Sequence, residues 1–366
     1  MEHRPGAVAD IRGALPSQVA WAGRPVFLTG HTGFKGAWLA VWLQRLGARV
    51  TGLSLAADPG SLGAALGIEG RVPSILADIR DAARLRDAMA EAAPEVVFHL
   101  AAQALVRRSY ADPLETFQTN VLGTAHLLEA VRATPSVRAV VVVTTDKCYE
   151  NREWTWPYRE TDALGGHDPY SASKAGAELV TASWRRSFLA AQGVAVASVR
   201  AGNVVGGGDW SADRLVPDCI RAFAEGQPVR IRNPAATRPW QHVLDPLCGY
   251  LILAERLLDG ADVAQAWNFG PGVDDVRPVT DVVRLLAEAW GPGGAWITDP
   301  GDHPHEAGLL AVDASMARTR LGWRPRLPLR AALRQTAHWY KRQLADEDPH
   351  GLIIDDLERY GTDTPQ

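Results

Sequence analysis

The chain has 366 residues, 46% hydrophobic and 22% charged, with a formal net charge of −4. That is the balance of a soluble globular protein, and it gives no electrostatic case for nucleic acid or an anionic membrane. No run of about 18 apolar residues exists to span a bilayer, and three scattered cysteines (Cys148, Cys219, Cys248) build neither a disulfide framework nor a zinc site.

In chain order, Met1 to Val19 mixes charge, Pro and Gly and has no apolar h-region, so it reads as a loose arm and not a secretory signal. With reduced thiols, a cytoplasmic location is the expectation. Val26 to Leu28 reads as a short buried strand. It empties into Gly30, Gly33 and Gly36, and Ala37 to Leu46 then reads as a helix. A strand, a glycine turn and a helix make an anion site from backbone alone, because glycines admit a pyrophosphate and the helix start offers free N–H groups. The bland alternative is an ordinary glycine-rich β-to-α turn, but the context is the one a dinucleotide fingerprint demands. The candidate cofactor residues here are Gly30, Thr32, Gly33, Phe34, Lys35 and Gly36. Lys35 suits either a phosphate or solvent.

Arg49 to Leu55 alternates into a second strand. An acid to hold the adenosine ribose is expected near its end, but Ser54 stands there and Asp58 comes late. The residues therefore leave NAD against NADP open. Ile75 to Ala77 is a third strand. Asp78, followed by Ile79, suits an adenine amino group or an N-cap for a helix from Ala82 to Ala92. Glu95 to Leu100 is a fourth strand, and Leu100, Ala101 and Ala102 are small or apolar enough for a cofactor to lie against the backbone. Gln103 follows. A helix is expected over Leu114 to Ala133, and Val140 to Thr144 is β-branched throughout, the composition of a strand buried on both faces of a parallel sheet. Glu150 to His167 reads as a surface loop. Asp168-Pro169 then caps a helix over Tyr170 to Ala191, and Val194 to Val199 is the sixth strand. This alternation predicts an α/β fold, a Rossmann-like doubly wound parallel sheet with a smaller C-terminal lobe. The expected divisions are a loose arm (1–20), a dinucleotide-binding domain (21–200), a mainly substrate-binding lobe (201–345) and a peripheral tail (346–366). In the lobe, helices are expected at Asp213 to Ala224, Pro246 to Leu258, Thr280 to Trp290 and Leu329 to Leu344.

Two further constellations carry chemistry. Tyr170 and Lys174 lie four apart on a helix, so hydroxyl and ammonium share a face. A phenol has a pKa of about 10. A nearby ammonium and an oxidised nicotinamide would lower it and make a base for a hydroxyl proton. Thr144-Thr145-Asp146-Lys147-Cys148-Tyr149 follows the fifth strand at the carboxyl edge, where ligands bind in open α/β sheets. Asp146 and Lys147 suit the cleft or solvent, not a buried strand.

The combination of Thr-Gly-His-Thr-Gly-Phe-Lys-Gly, Thr-Thr-Asp-Lys-Cys-Tyr-Glu-Asn, Asp-Pro-Tyr-Ser-Ala-Ser-Lys and Arg-Ala-Gly-Asn-Val-Val-Gly-Gly-Gly-Asp-Trp resembles the extended short-chain dehydrogenase/reductases. Within them it is similar to sugar-nucleotide 4,6-dehydratases of the CDP-glucose type, from about Trp21 to Leu344. The resemblance implies bound NAD and CDP-glucose as substrate. It makes Thr145, Asp146, Lys147, Tyr170 and Lys174 catalytic. Tyr170, helped by Thr145 and Lys174, would deprotonate the glucose 4-hydroxyl as hydride leaves C4. Asp146 would protonate the departing 6-hydroxyl. Lys147 stands where dTDP-glucose relatives carry the glutamate that takes the C5 proton, and it would act as that base or stabilise the enolate. A lysine, with an ordinary pKa of about 10.4, is a base only if its surroundings depress it. The resemblance also places Gln103, Asn203, Arg214, Arg238 and His305 at the substrate. It implies a homodimer or homotetramer built through the helices from Leu114 and Tyr170, and a deoxysugar product for surface polysaccharide such as lipopolysaccharide O-antigen. No metal is expected. An epimerase or reductase of the same fold, or a non-catalytic nucleotide sensor, are the alternatives.

Overall fold

The strand patterns assemble into one parallel sheet. A computed structural model describes residues 13–299, 301 and 307–362. A short helix, α1 (Gln18–Trp21), leads into β1 (Pro25–Thr29), α2 (Phe34–Arg45) and β2 (Arg49–Ser54). Two short helices, α3 (Leu62–Leu66) and α4 (Ile68–Arg71), precede β3 (Ser74–Leu76), α5 (Ala82–Ala92) and β4 (Val96–His99). Next come α6 (Val106–Ala111), α7 (Pro113–Phe117), α8 (Gly123–Arg132), β5 (Ala139–Val143), α9 (Pro169–Trp184) and β6 (Ala195–Ala201). The second half holds β7 (Asn203–Val205), α10 (Leu215–Ala224), β8 (Val229–Ile231), β9 (Thr237–His242), α11 (Leu244–Leu258), β10 (Ala266–Phe269), β11 (Val276–Pro278), α12 (Val279–Trp290) and β12 (Trp296–Thr298). The helices α13 (Leu329–Leu344) and α14 (Pro349–Thr362) complete the elements.

The central sheet has seven strands in the order β10-β6-β5-β4-β1-β2-β3, and every pair in it is parallel. Its strands serve two cores with a period of two. Phe27, Val97, Val140 and Val142 face a cluster with Leu85 and Met89 of α5 and Leu127 and Leu128 of α8. Val26, Leu28, Phe98 and Val141 face the opposite cluster with Trp38 and Val41 of α2 and Leu247 and Leu251 of α11. That two-sided burial explains the unbroken apolar run of β5. Chain order reverses between β1 and β4, so the crevice at the carboxyl ends of these strands is the natural ligand site.

Several expectations are corrected. The division at residue 200 does not separate the sheet, because β10 pairs with β6 and α11 lies in the core beneath it. The tail beyond 346 is not peripheral along α14, where Leu352, Ile353, Leu357 and Tyr360 are buried. Its apolar residues recur at helical spacing and need a partner, which α2 supplies through the edge-on contact of Trp42 with Tyr360. The arm is tied down from Gly13 onward: Ala14 N donates to Gly322 O at 2.9 Å and Ser17 N to Glu255 at 2.7 Å. The cap of α5 is Asp81, whose carboxylate accepts from Arg84 N, and not Asp78. The loop 150–167 is the surface loop expected: within it only Tyr158 is buried, stacked on Tyr149 and Trp154.

Candidate active site

The glycine turn is built by close approach. Gly30 has φ +77°, and a Cβ there would meet Ala101 N at 2.7 Å. A Cβ on Gly36 would lie 2.0 Å from Gly30 O. No side chain caps α2, so its first-turn N–H groups at Phe34, Lys35 and Gly36 are open to an anion. Leu100 N and Ala101 N donate to Thr29 O and Thr29 Oγ1, each at 3.2 Å, which fixes the end of β4 beside the turn. This cradle fits the pyrophosphate of a dinucleotide.

The adenosine end differs from a simple acid. Thr32 Oγ1 donates to Leu55 O at 3.0 Å, leaving Ser54 Oγ to donate to Thr32 Oγ1 at 2.6 Å. Asp78 is clasped by Arg80, with contacts of 2.8 Å from N, 2.9 Å from Nε and 2.6 Å from Nη2. Ile79 is buried, and its carbonyl meets His126 Nδ1 at 3.2 Å.

At the other end of the crevice, α9 presents Tyr170 and Lys174, both buried. Asp168 caps α9 by accepting from Ser171 N at 2.9 Å. Lys174 Nζ donates to Val143 O at 3.3 Å, and burial pushes its pKa down to about 8, opposed by the charge of Glu178. Tyr170 departs from expectation. Burial pushes the phenol up to about 12, while a Thr145 hydrogen bond and the Arg214 charge pull it down. A desolvated phenol resists ionisation whatever its neighbours, until further positive charge arrives.

After β5 the chain makes a 3-10 turn, Asp146–Cys148. Thr145 Oγ1 donates to Asp146 Oδ1 at 3.0 Å and accepts from Lys147 N at 3.3 Å. Asp146 is buried, and its Oδ2 has no hydrogen-bond partner among the described residues. Burial raises its pKa, with Lys147, Thr145, Arg238 and Lys35 acting against it. The result is a buried carboxyl displaced toward its proton-bearing form beside a phenol and an ammonium, a set that can exchange protons with two hydroxyls of one ligand.

Lys35 turns into this crevice. Burial, then the charges of Arg214 and Lys174, push it down to about 8, while Asp146 and Asp209 pull it up. The chain contains only four lysines, Lys35, Lys147, Lys174 and Lys341. Three of them act on Asp146 or on each other. In a chain that otherwise uses arginine for its cations, that scarcity was a usable signal in the sequence. Sequence reasoning also missed Asp209, which is buried and pairs with Arg214 at 3.1 Å.

The expected substrate residues divide. Arg214 precedes α10 with its charge felt at Tyr170 and Lys35. Arg238 is buried, donates to Thr237 O at 3.0 Å and acts on Asp146. Asn203 opens β7 beside Gly202, where a Cβ would meet Pro239 Cγ at 2.5 Å and Asp146 Oδ2 at 3.1 Å. Gln103 is spent on its own loop: Nε2 donates to Leu105 O and Thr116 Oγ1 at 3.0 Å, and Oε1 accepts from Leu105 N at 2.6 Å. It supports the β4–α6 turn instead of offering groups to a ligand. His305 lies outside the described residues. Among the described residues no group of His, Cys, Asp and Glu is arranged to hold a metal ion.

The chain is 50% identical over 335 residues to CDP-glucose 4,6-dehydratase of Salmonella typhimurium, covering 90% of this chain and 93% of that protein. The solved structure of MoeE5 in complex with UDP-glucose and NAD superposes with a TM-score of 0.75 at 27% identity, over 87% of this chain and 99% of that one. The dTDP-glucose 4,6-dehydratase DesIV from Streptomyces venezuelae, with NAD and TYD bound, shares the fold with a TM-score of 0.75 at 24% identity, over 89% of this chain and 99% of that one. Residues 26–270, from β1 through the end of the central sheet, match the model of the NAD dependent epimerase/dehydratase family, and the chain belongs to that family.

Proposed function

We propose that this chain is an NAD-dependent hydro-lyase, a CDP-glucose 4,6-dehydratase that converts CDP-D-glucose to CDP-4-keto-6-deoxy-D-glucose. The observation that carries dehydration over epimerisation is Asp146. Its buried carboxyl is pushed toward the acid form and its Oδ2 is unpartnered among the described residues. Loss of the 6-hydroxyl as water needs such a proton donor, and simple epimerisation at C4 does not. The half-identical Salmonella relative supports the cytidine nucleotide.

NAD, when bound, supplies the acceptor for the C4 hydride and returns that hydride to C6, so the cycle is redox-neutral. The cradle of Gly30, Gly33 and Gly36 with Thr32, Phe34 and Lys35 holds its pyrophosphate. Ser54, Asp78, Ile79, Leu100, Ala101 and Ala102 line its adenosine side, and Tyr170 and Lys174 its nicotinamide end. Tyr170, fed by Thr145 and steadied by Lys174, takes the 4-hydroxyl proton. The 4-ketone acidifies the C5 proton. Asp146 gives its proton to the leaving 6-hydroxyl, and Lys147 works on C5 as base or as a cation beside the enolate. Arg214, Arg238 and Asn203 hold the sugar diphosphate through paired N–H donors and the amide.

The product feeds deoxysugar assembly for surface polysaccharide. All three cysteines are buried and unpaired, which suits the cytoplasm. A homodimer is expected through α7, α8, α9 and the helical turns that follow α7 and α9, which together expose Leu114, Phe117, Leu122, Leu179 and Phe188. The test is formation of the 4-keto sugar, read by its absorbance in alkali, from CDP-, dTDP-, GDP- and UDP-glucose with NAD. CDP-glucose is expected to react fastest, and no product from any of the four sinks the reading.

A further inference from the structure

Behind the turn that carries Thr145, Asp146 and Lys147 lies a buried ion pair that the dehydration chemistry does not itself use. Arg200 Nη2 donates to Glu178 Oε2 at 2.9 Å, and the two side chains are 4% and 3% exposed. Glu178 stands on α9 one turn beyond Lys174 and two beyond Tyr170, so all three share a face. Arg200 and Ser198 alternate along β6 and point to that face.

The pair reaches both ends of the turn. At its start, Thr144 Oγ1 donates to Glu178 Oε1 at 2.5 Å. At its end, Arg200 Nη1 donates to Tyr149 OH at 2.8 Å, with the guanidinium 4.9 Å from the centre of the same ring. Ser198 Oγ donates to Glu178 Oε2 at 2.6 Å, and Tyr149 OH donates to Asn268 Oδ1 at 2.7 Å. The network therefore ties α9, β6 and β10 to the flanks of a short segment whose middle holds the reacting groups.

Stability is a weak reason for such an arrangement, because well-packed apolar residues can often replace a buried ion pair without loss. Precision is a stronger one. Small displacements of positioned groups cost large factors in rate. We infer that Glu178 and Arg200 are positioning residues for the dehydratase, clamping the turn at Thr144 and Tyr149 and setting the charge around Lys174. This rests on the function proposed above, but one arm of its test does not. The groups facing Lys174 are Glu178 on its own helix, Cys148 on the turn, His99 on β4 and Lys35 on α2. Among these Glu178 is the one whose charge favours the ammonium most strongly.

With four lysines in the chain, lysine labelled at its terminal carbon gives a resolvable titration by NMR, assigned with Lys174→Arg. Glu178→Gln keeps the shape and removes the charge. In that variant the Lys174 midpoint is expected to fall by about one unit, and the upper break of the kcat profile to fall with it. A midpoint that stays put, or one that moves while the kcat break does not, overturns the electrostatic role. The clamp is tested by the paired apolar replacement Glu178→Leu with Arg200→Met. It is expected to fold and bind CDP as the parent does while kcat drops at least about tenfold. If it fails to fold, Tyr149→Phe with Thr144→Val, which removes only the two flanking hydroxyls, carries the same expectation. Parent-like kcat in whichever pair folds overturns the clamp. The lysine titration needs neither cofactor nor turnover, so its result stands even if no nucleotide sugar reacts.

Discussion

At the scale of single residues, the site is a contest between burial and neighbouring charge. Desolvation holds Tyr170 at about 12 and draws Lys174 down to about 8. The phenol must lose a proton and the ammonium must keep one; with the phenol's value above the ammonium's, kcat is expected to rise with pH and to level off as pH passes about 8, which a pH–rate profile reads directly. Tyr170→Phe is expected to lower kcat by about 10²- to 10⁴-fold with CDP affinity unchanged by calorimetry. The glycine turn makes a sharper test because its two inner glycines differ. A methyl at Gly36 would collide with Gly30 O at 2.0 Å, whereas one at Gly33 would sit 3.4 Å from the same atom. Gly36→Ala is therefore expected to weaken NAD binding by at least about tenfold. Gly33→Ala should bind within a few fold of the parent. Equal loss in both would show that the backbone approach of Gly36 is not what forms the cradle.

Among the elements, α14 is the one whose docking depends on buried acids. Tyr360 OH donates to Asp245 Oδ1 at 2.9 Å, and Arg326 N donates to the same oxygen at 2.8 Å. Burial pushes the carboxyl up to about 7, against the hydrogen bonds from the Arg326 backbone, Tyr360 and the Leu327 backbone. A carboxyl whose pKa is raised by folding favours the folded state most at low pH, below its unfolded value of about 3.9. That contribution is lost as pH climbs through about 7. Asp245→Asn is expected to flatten the pH dependence of the melting temperature between these limits and to melt above the parent at pH 8. A parent-like pH dependence in the variant would discount Asp245 as its source. Tyr360→Phe removes one buried donor and is expected to cost about 1–3 kcal/mol in urea unfolding.

For the whole molecule, the unpartnered surface is as informative as the core. Leu114, Leu122 and Leu179 are more than half exposed, and Phe117 and Phe188 are exposed too; they lie on α7, on α9 and on the helical turns that follow these two, and α7 packs against α9. Large apolar side chains exposed on packed helices favour a partner. Leu179→Arg is expected to shift the protein from dimer to monomer in light scattering while leaving CDP binding intact. A parent that is already monomeric at micromolar concentration would remove the dimer proposal.

The sequence by itself determined the parallel sheet, because strand period, glycine turn and helix face are local patterns that burial on both sides of a sheet reads out directly. Val140 to Val143, Gly30 to Gly36 and the Tyr170–Lys174 spacing were legible for that reason. Only the tertiary structure decided what distant groups do to one another. It placed β10 in the sheet and α14 against α2. It turned Lys35 toward Asp146, committed Gln103 to its own loop, raised Tyr170 where a lowered value was expected, and set Glu178 and Arg200 behind the turn. Desolvation and long-range charge depend on which segments meet, and no local pattern carries that information.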